Sequence, residues 1–134
     1  MKRSFTRIFC TLLSCLLLVG FLAGGVVAMA EDAATGQCGQ NLTWRYDPET
    51  GVLTIEGEGS MWDYDSLKLM PWFQYAGNIK KIVLSNGVTS IGKNAFACCA
   101  VEEVEFPETL KTIGARAFYQ CEKLTKVDLS KTQV

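Results

Sequence analysis

Apolar residues recur in the second half of the chain with a period of 22 to 23 residues. Ile82, Val104 and Val127 each begin a unit, and a second apolar residue follows two positions later in every unit. Side chains two positions apart on a strand point to the same side, so each pair predicts a short strand with one buried face. Further columns repeat between the first and second units: Val88 with Leu110, Ile91 with Ile113, Gly92 with Gly114, Ala95 with Ala117, Phe96 with Phe118, and Cys99 with Cys121.

A repeat of this length that starts with an apolar alternation is typical of leucine-rich repeats. We therefore predict a leucine-rich repeat solenoid of the α/β right-handed superhelix type, dominated by strands and completed by short helical or 3₁₀ turns. About two and a half repeats are expected over residues 80–134, truncated at the C-terminus. Gly92 and Gly114 are expected to supply backbone angles that other residues avoid. The predicted repeat core consists of Ile82, Leu84, Ile91, Phe96, Cys99, Val104, Phe106, Ile113, Phe118, Cys121, Val127 and Leu129.

Residues 36–79 show no such repeat and predict a different element. Two period-two runs flank a turn that contains Pro48 and Gly51, which is the signature of a β-hairpin. The first unit of a solenoid would otherwise expose an apolar face. We therefore predict a β-rich, aromatic N-terminal cap over residues 38–79, after a short flexible leader over residues 31–37.

Residues 1–30 have the three-part layout of a secretory signal peptide. Three basic residues precede an uncharged run over residues 8–30 that ends in small residues, so cleavage is predicted after Ala30. The run is also long enough to cross a bilayer once, and an uncleaved anchor is the alternative. In both cases the remainder is expected to be exported, as a secreted or cell-surface protein.

Charge and composition exclude several classes of function. Cleavage after Ala30 would remove three of the 13 basic residues and none of the 14 acidic ones, which leaves a net charge of −4. A mildly acidic surface without a basic cluster argues against nucleic acid as a partner. The chain contains no histidine, so histidine-ligated metals, histidine bases and histidine-activated nucleophiles are all excluded. We expect no catalytic residue, cofactor or metal, and a carboxylate-dependent hydrolase is the remaining enzymatic alternative.

Four cysteines follow the predicted signal peptide, and no Cys-x-x-Cys pair is among them, so the usual zinc and redox spacings are missing. Cys99 and Cys121 share a column and would stack about 5 Å apart, which permits a disulfide in an oxidising compartment. The alternative, which we favour, is that both pack as small apolar side chains. Cys98 is out of phase and is expected outside the turn, and no partner can be assigned to Cys38.

The strand side chains that point away from the core form the predicted binding face. They are Lys81, Val83, Glu103, Glu105, Lys126 and Asp128. Lys81, Glu103 and Lys126 alternate in sign and can attract one another at about 0.2 to 1 kcal/mol per pair. Glu105 beside Asp128 is repulsive, and this pair either holds a cation or a basic partner or consists of two solvated carboxylates.

Two further groups of residues invite a functional interpretation. Asp63 and Asp65 flank Tyr64 and resemble a carboxylate pair or a calcium site, although an acidic turn explains them more simply. An aromatic group could form a carbohydrate-stacking platform, although packing of the predicted cap is the simpler explanation. Its members are Trp44, Trp62, Trp72, Phe73 and Tyr75.

The repeat motif Ile-Gly-x-x-Ala-Phe-x-x-Cys over residues 91–99 and 113–121 resembles the BspA-like leucine-rich repeats of bacterial surface proteins. Residues 36–73 resemble the segment that often precedes those repeats. The resemblance implies a non-catalytic, secreted or surface-attached module for adhesion or binding, with a protein or glycan as its ligand. The alternative is a truncated N-terminal fragment of a longer surface protein with only a structural capping role.

The last repeat lacks a polar end, so its apolar face is expected to be partly uncovered and is a candidate for self-association. Contact with a membrane is expected only through the signal peptide, if that segment is not cleaved.

Overall fold

Alternation of buried and exposed side chains shapes the first three strands of the protein. The computed structural model describes residues 33–134, and the predicted signal peptide with its cleavage point at Ala30 lies outside them. Strands β1 (Ala34–Gly39), β2 (Leu42–Asp47) and β3 (Val52–Gly57) pair antiparallel in succession. Every second side chain of β2 and β3 is buried, which places one apolar side of this sheet in the core.

The remaining strands are short and pair in parallel. They are β4 (Gly59–Ser60), β5 (Lys81–Leu84), β6 (Val88–Ile91), β7 (Glu103–Glu105) and β8 (Thr112–Ile113). Strand β5 joins β3 and then β7, which gives a five-stranded sheet of order β1-β2-β3-β5-β7. Strands β4, β6 and β8 form a separate three-stranded sheet. From β3 onward, successive strands alternate between the two sheets, and the described residues form a strand-rich repeat fold.

The repeat begins earlier than the sequence pattern indicates. Leu53 pairs with Ile82 in parallel register, as Ile82 pairs with Val104, so β3 and β4 belong to a first coil that starts at Val52. We use the word coil for one pass through both sheets; the second coil starts at Lys81 and the third at Glu103. The expectation that residues 36–79 do not repeat is therefore wrong for the part from Val52 onward. Extra residues before Trp72 lengthen the first coil, so its spacing differs from that of the later coils.

An aromatic stack connects the three coils. The rings of Trp72 and Phe96 are stacked at 5.4 Å, and those of Phe96 and Phe118 at 5.5 Å. The indole N–H of Trp72 donates a hydrogen bond to the Ala95 carbonyl at 2.9 Å. Trp72 thus occupies in the first coil the position that phenylalanine occupies in the next two.

The helical content of the described residues lies in the first coil. Two 3₁₀ segments, η1 (Leu67–Leu69) and η2 (Phe73–Asn78), fill its long connection. The equivalent segments of the second and third coils, predicted as single helical or 3₁₀ turns, are successive tight turns instead. Left-handed residues break any helical run there, and these are Asn94, Cys98, Arg116 and Gln120, with φ between 56° and 61°.

Gly92 and Gly114 have a steric role that differs from the expected one. Neither has a positive φ. A Cβ atom at Gly114 would lie 2.6 Å from the backbone nitrogen of Lys93, and one at Gly92 would collide with the backbone carbonyl of Trp62. These glycines are required because adjacent coils approach each other closely at the turn.

Two predictions about the ends of the fold are corrected. Residues 34–37 lie in β1 and are not part of a flexible leader, because β2 supplies hydrogen-bonding partners along this strand. Val127, predicted in the core, is 54% exposed. The residues around Val127 pair with the five-stranded sheet only through an isolated bridge between Glu103 and Lys126. No strand of residues 33–134 pairs with them on the side opposite β7.

Candidate binding face

The outer side of the five-stranded sheet presents two continuous rows of side chains. Strand register aligns Thr35, Arg45, Thr54, Val83 and Glu105 in the first row. It aligns Asp47, Val52, Lys81, Glu103 and Lys126 in the second row. The side chains between them along each strand are buried, so both rows point away from the core. We call these two rows the strand face.

Lys81 is the electrostatic centre of the strand face. Its Nζ lies 2.6 Å from Oε2 of Glu105 and 3.7 Å from Oε1 of Glu103. The hydrogen bond to the Glu105 carboxylate is the main cause of a raised Lys81 pKa. All three side chains are partly exposed, so water and salt weaken these attractions. These two ion pairs orient the charged side chains on the strand face and add little to the stability of the fold.

The expected repulsion between Glu105 and Asp128 is not seen. The Glu105 carboxylate turns to Lys81, and Oδ1 of Asp128 accepts a hydrogen bond from the Ser130 backbone N–H at 2.9 Å. Hydrogen bonding from the Ser130 side chain, and next from its backbone N–H, lowers the pKa of Asp128. Residue 128 lies beyond the last strand, so it does not continue the first row.

The strand face extends beyond the predicted residues onto β1, β2 and β3. A shallow groove of about 380 Å³ lies there, and its polar lining is Thr35, Gln37, Thr43, Arg45, Thr54 and Glu56. The sequence prediction missed this part because it placed these strands in a separate cap. The signal was present in the alternation of polar with apolar residues along β2 and β3.

The family comparison covers the coils that carry this face. Residues 71–134 match the family described as "BspA type Leucine rich repeat region (6 copies)". These residues belong to the BspA-type leucine-rich repeats. The match includes Trp72, which agrees with the place of this residue in the aromatic stack of the repeat.

A solved structure supports the leucine-rich repeat fold. The chain is similar to a leucine-rich repeat protein from Eubacterium ventriosum ATCC 27560, whose crystal structure was determined at 2.50 Å resolution. The two are 30% identical with a TM-score of 0.65, over 70% of this chain and 25% of the other. The chain therefore spans about a quarter of the length of that protein. No curated protein sequence matches the chain significantly.

The aromatic residues of β2 and of the first coil serve mainly the core. Trp44 and Trp72 are buried and meet edge to face at 5.8 Å, which leaves neither ring free to stack on a sugar. Tyr75 is partly buried and stacks on Tyr46 at 4.6 Å. Two other aromatic residues remain open to solvent, and these are Trp62 at 48% and Phe73 at 41%.

The two candidate carboxylates beside Tyr64 bind a single lysine. Oδ1 of Asp63 accepts a hydrogen bond from the Lys93 backbone N–H at 2.7 Å, and Oδ1 of Asp65 lies 3.3 Å from Lys93 Nζ. Nothing in residues 33–134 brings three metal-ligating side chains together. Both carboxylates thus hold the first coil to the second.

The cysteines of the BspA-type repeats differ in burial, and all four in the described part of the chain are free thiols. Cys99 is buried, and burial raises its pKa to about 12. Cys121 is half-buried, its pKa is raised by burial, and its thiol donates to the Phe96 carbonyl at 3.0 Å. Cys98 is partly exposed, and its thiol lies 3.3 Å from Oε1 of Gln120.

Cys38 lies in the core of the antiparallel strands, where burial raises its pKa to about 12. A buried, protonated thiol is a poor nucleophile and a poor metal ligand. Cys38 and Cys99 therefore pack as small apolar side chains.

The other residues predicted in the repeat core differ in how far they are buried. Ile82, Leu84, Ile91, Phe96 and Val104 are buried, and Phe106, Ile113, Phe118 and Leu129 are partly buried. The third coil is thus less covered than the second. No helix in this part of the chain is long and apolar enough to cross a membrane.

Proposed function

We propose that this protein is a non-catalytic binding module whose strand face meets a protein or glycan ligand. The observation that carries the proposal is the continuity of the strand face across BspA-type coils and the antiparallel strands before them. A leucine-rich repeat region is typical of interaction modules, and its curved sheet offers an extended surface. The face combines hydroxyl groups with both kinds of charged side chain, and Gln37 adds an amide in the adjoining groove, which suits a polar ligand.

The proposed architecture is a right-handed leucine-rich repeat solenoid with a β-hairpin cap. Parallel in-register pairing of β3, β5 and β7 supports the solenoid. Strands β1 and β2 continue the sheet beyond the first coil and supply the buried side chains Leu42, Trp44 and Tyr46, which supports the cap. In this arrangement the cap performs two tasks, since its outer side also belongs to the binding face.

The proposal includes export, with cleavage of a signal peptide after Ala30. The intact mass of the secreted protein tests this directly, because it reports the first residue of the mature chain. A secreted product that begins at Glu31 is expected. A product that retains residues 1–30 and stays with the membrane would support the anchor instead.

A pair of charge reversals tests the role of the strand face. Glu105→Lys breaks the ion pair with Lys81 at the centre of the face, whereas Glu108→Lys makes the same charge change beyond the end of β7. Binding of the secreted protein to printed arrays of glycans and of extracellular proteins is the measurement. Glu105→Lys is expected to weaken the strongest signal at least tenfold, and Glu108→Lys to leave it unchanged. Equal effects of both variants would refute a specific role for this face.

A second candidate role is structural, as the N-terminal part of a longer surface protein. The observation that favours it is that the similar crystal structure has a chain about four times as long as the matched region. The described residues would then begin and shield the solenoid. A folded and monomeric secreted chain that binds an array ligand through Glu105 would argue against a purely structural role.

A further inference from the structure

An open recess lies beside the start of strands β3 and β5. Its volume is about 470 Å³, and small-molecule sites occupy about 300 to 1,000 Å³. One wall is the turn between β2 and β3, and the other is the segment that joins η2 to β5. The lining includes the polar side chains of Glu49, Asn78 and Lys80 and the aromatic side chains of Tyr46 and Tyr75.

Backbone hydrogen bonds hold the two walls of the recess together. The Lys80 N–H donates to the Gly51 carbonyl at 2.7 Å, and the Gly51 N–H donates to the Asp47 carbonyl at 2.8 Å. The φ of Gly51 is 74°, and a Cβ atom there would lie 3.0 Å from the Asn78 carbonyl oxygen, so the two walls are in close contact. The recess is therefore built from fixed backbone, which lowers the entropic cost of binding a ligand.

The polar side chains of the recess can hydrogen-bond to a ligand. Glu49, Asn78 and Lys80 are all exposed. Within residues 33–134, neither Glu49 nor Lys80 belongs to an ion pair. The Tyr46 hydroxyl donates to the Asn78 backbone carbonyl at 3.4 Å and not to its side-chain amide. The carboxylate only accepts hydrogen bonds, the ammonium group only donates them, and the amide does both.

Tyr75 gives the recess an apolar surface. Its ring stacks on Tyr46 at 4.6 Å with 22° between the ring planes. Tyr46 is buried, whereas Tyr75 remains partly exposed. Trp44 lies 6.4 Å from the Tyr75 ring, so two aromatic neighbours fix the position of this ring. A fixed tyrosine offers apolar contact area at a low cost in conformational entropy.

The mixture of charges decides which class of ligand the recess suits. An anionic ligand would be attracted by Lys80 but repelled by Glu49, and a cationic ligand would meet the reverse. An apolar ligand would take both charges out of water without replacing their hydrogen bonds. A neutral ligand with several hydroxyl groups avoids these costs, because each hydroxyl both donates and accepts.

We propose that this recess binds a neutral saccharide. One sugar ring lies against Tyr75, and its hydroxyl groups donate to the Glu49 carboxylate and accept from Asn78 and Lys80. The site is distinct from the strand face, because it shares no lining residue with either row of that face. Neither row contains an aromatic side chain, so a sugar ring finds its apolar contact in the recess and not on the strand face.

Titration of the isotope-labelled secreted protein with uncharged oligosaccharides, followed by NMR spectroscopy, tests the site. The probes are oligosaccharides of glucose, galactose and mannose. The backbone N–H signals of Gly51 and Lys80 should shift in a saturable manner with at least one probe, because both amides lie in the walls of the recess. The affinity should be nearly the same at low and high salt, since the ligand carries no charge.

Two substitutions with matched controls locate the ligand. Glu49→Ala and Asn78→Ala each remove a hydrogen-bonding side chain and are expected to weaken the strongest titration by roughly tenfold or more. Glu122→Ala and Gln74→Ala make similar changes at exposed positions outside the recess and should leave the affinity unchanged. Circular dichroism verifies that all four variants are folded.

The Glu105→Lys variant separates this site from the strand face. It should bind the saccharide as tightly as the unaltered protein does, because Glu105 lies outside the recess. A saccharide that is lost in Glu105→Lys and retained in Glu49→Ala would lie on the strand face. That result would support the proposed function and overturn this inference, so the two failures are distinguishable.

Three further outcomes would overturn the inference. The first is that no uncharged oligosaccharide binds with a Kd of about 1 mM or tighter. The second is that the control variants weaken binding as much as Glu49→Ala and Asn78→Ala do. The third is that a free zwitterionic amino acid shifts the signals of Gly51 and Lys80 while no saccharide does, which would assign the recess to a ligand with both charges. A saccharide that shifts these signals and binds more weakly only to the two recess variants supports the proposal.

Discussion

Substitution of Gly114 by alanine tests the close approach of the coils. The added Cβ would lie 2.6 Å from the Lys93 nitrogen, 2.7 Å from the Gly92 carbonyl carbon and 3.0 Å from the Gly92 oxygen. All three are backbone atoms of the preceding coil, and no rotation of a side chain can move them. The two coils must therefore separate by several tenths of an ångström at this point.

The expected loss of stability follows from what this separation disturbs. Overpacking of this kind costs about 1 to 3 kcal/mol. The Gly114 N–H donates to the Ile91 carbonyl at 2.8 Å, and weakening this hydrogen bond contributes about 1 kcal/mol. Alanine also restricts the unfolded chain, which offsets about 0.4 to 1 kcal/mol. We expect Gly114→Ala to lower the free energy of unfolding by about 2 kcal/mol and Tm by roughly 10 °C.

Gly77→Ala is the matched control for this substitution. Gly77 lies in η2, its φ is not positive, and a Cβ there would meet nothing within 4 Å. Alanine is therefore expected to be neutral or slightly stabilising at position 77. Thermal and urea unfolding followed by circular dichroism give both values. If the two variants unfold at the same temperature, close approach is not the reason for glycine at position 114.

Three further substitutions probe the core, the turns and the thiols. Phe96→Ala removes a buried ring of the aromatic stack and should cost about 3 to 5 kcal/mol in urea unfolding. Phe73→Ala, at a ring that is 41% exposed and outside the stack, should cost less than about 1 kcal/mol; equal losses would contradict the role of the stack. Gln120 has a left-handed backbone with φ 56°, so Gln120→Gly should remove backbone strain and stabilise the protein by about 0.5 to 1 kcal/mol. A loss of stability in the same assay would show that the contacts of the Gln120 side chain outweigh this strain. The pKa of the buried Cys99 thiol is raised from 9.0 to about 12, so its contribution to stability should fall by about 1.4 kcal/mol per pH unit as pH rises from 9 toward 12. The Cys38 thiol, whose pKa is also raised to about 12, should add a similar decline. Urea unfolding at pH 8 and pH 10.5 measures this decline, and Cys99→Ala should reduce it; an unchanged decline would mean that other groups cause it.

The repeat could be predicted from the sequence where its spacing is nearly constant, and it was missed in the first coil, where the spacing is longer. Leu84 and Phe106 could be aligned because every column between them is filled at a spacing of 22 residues. The first coil was missed because 29 residues separate Leu53 from Ile82, which structural register alone can align. Parallel pairing between β3 and β5 depends on backbone hydrogen bonds, and these leave no mark on the amino-acid pattern.

The physical reason why a position requires a given residue type was harder to predict than the position itself. Glycine at positions 92 and 114 suggested an unusual φ, but the cause is a neighbouring backbone that belongs to a different coil. The left-handed positions are taken by residues such as Asn94 and Arg116, which give no clear signal in a single sequence. The ion pairs of the strand face could not be predicted from the sequence either. Glu103 lies directly opposite Lys81 in the strand register, but Lys81 lies closer to Glu105.

Backbone and side chains have different roles in this fold, and this difference supports the proposed function. Backbone hydrogen bonds in both sheets and in the tight turns hold neighbouring coils together, and the buried side chains fill the interior of each coil. Residues of the strand face take little part in either, because they point outward and their ion pairs are solvated. Their identity can therefore change with small effect on stability, while their positions stay fixed by strand register at a spacing of about 4.8 Å. A surface whose chemistry can vary on a constant frame is suited to recognition, and this is the physical reason to expect the ligand of this protein on the strand face.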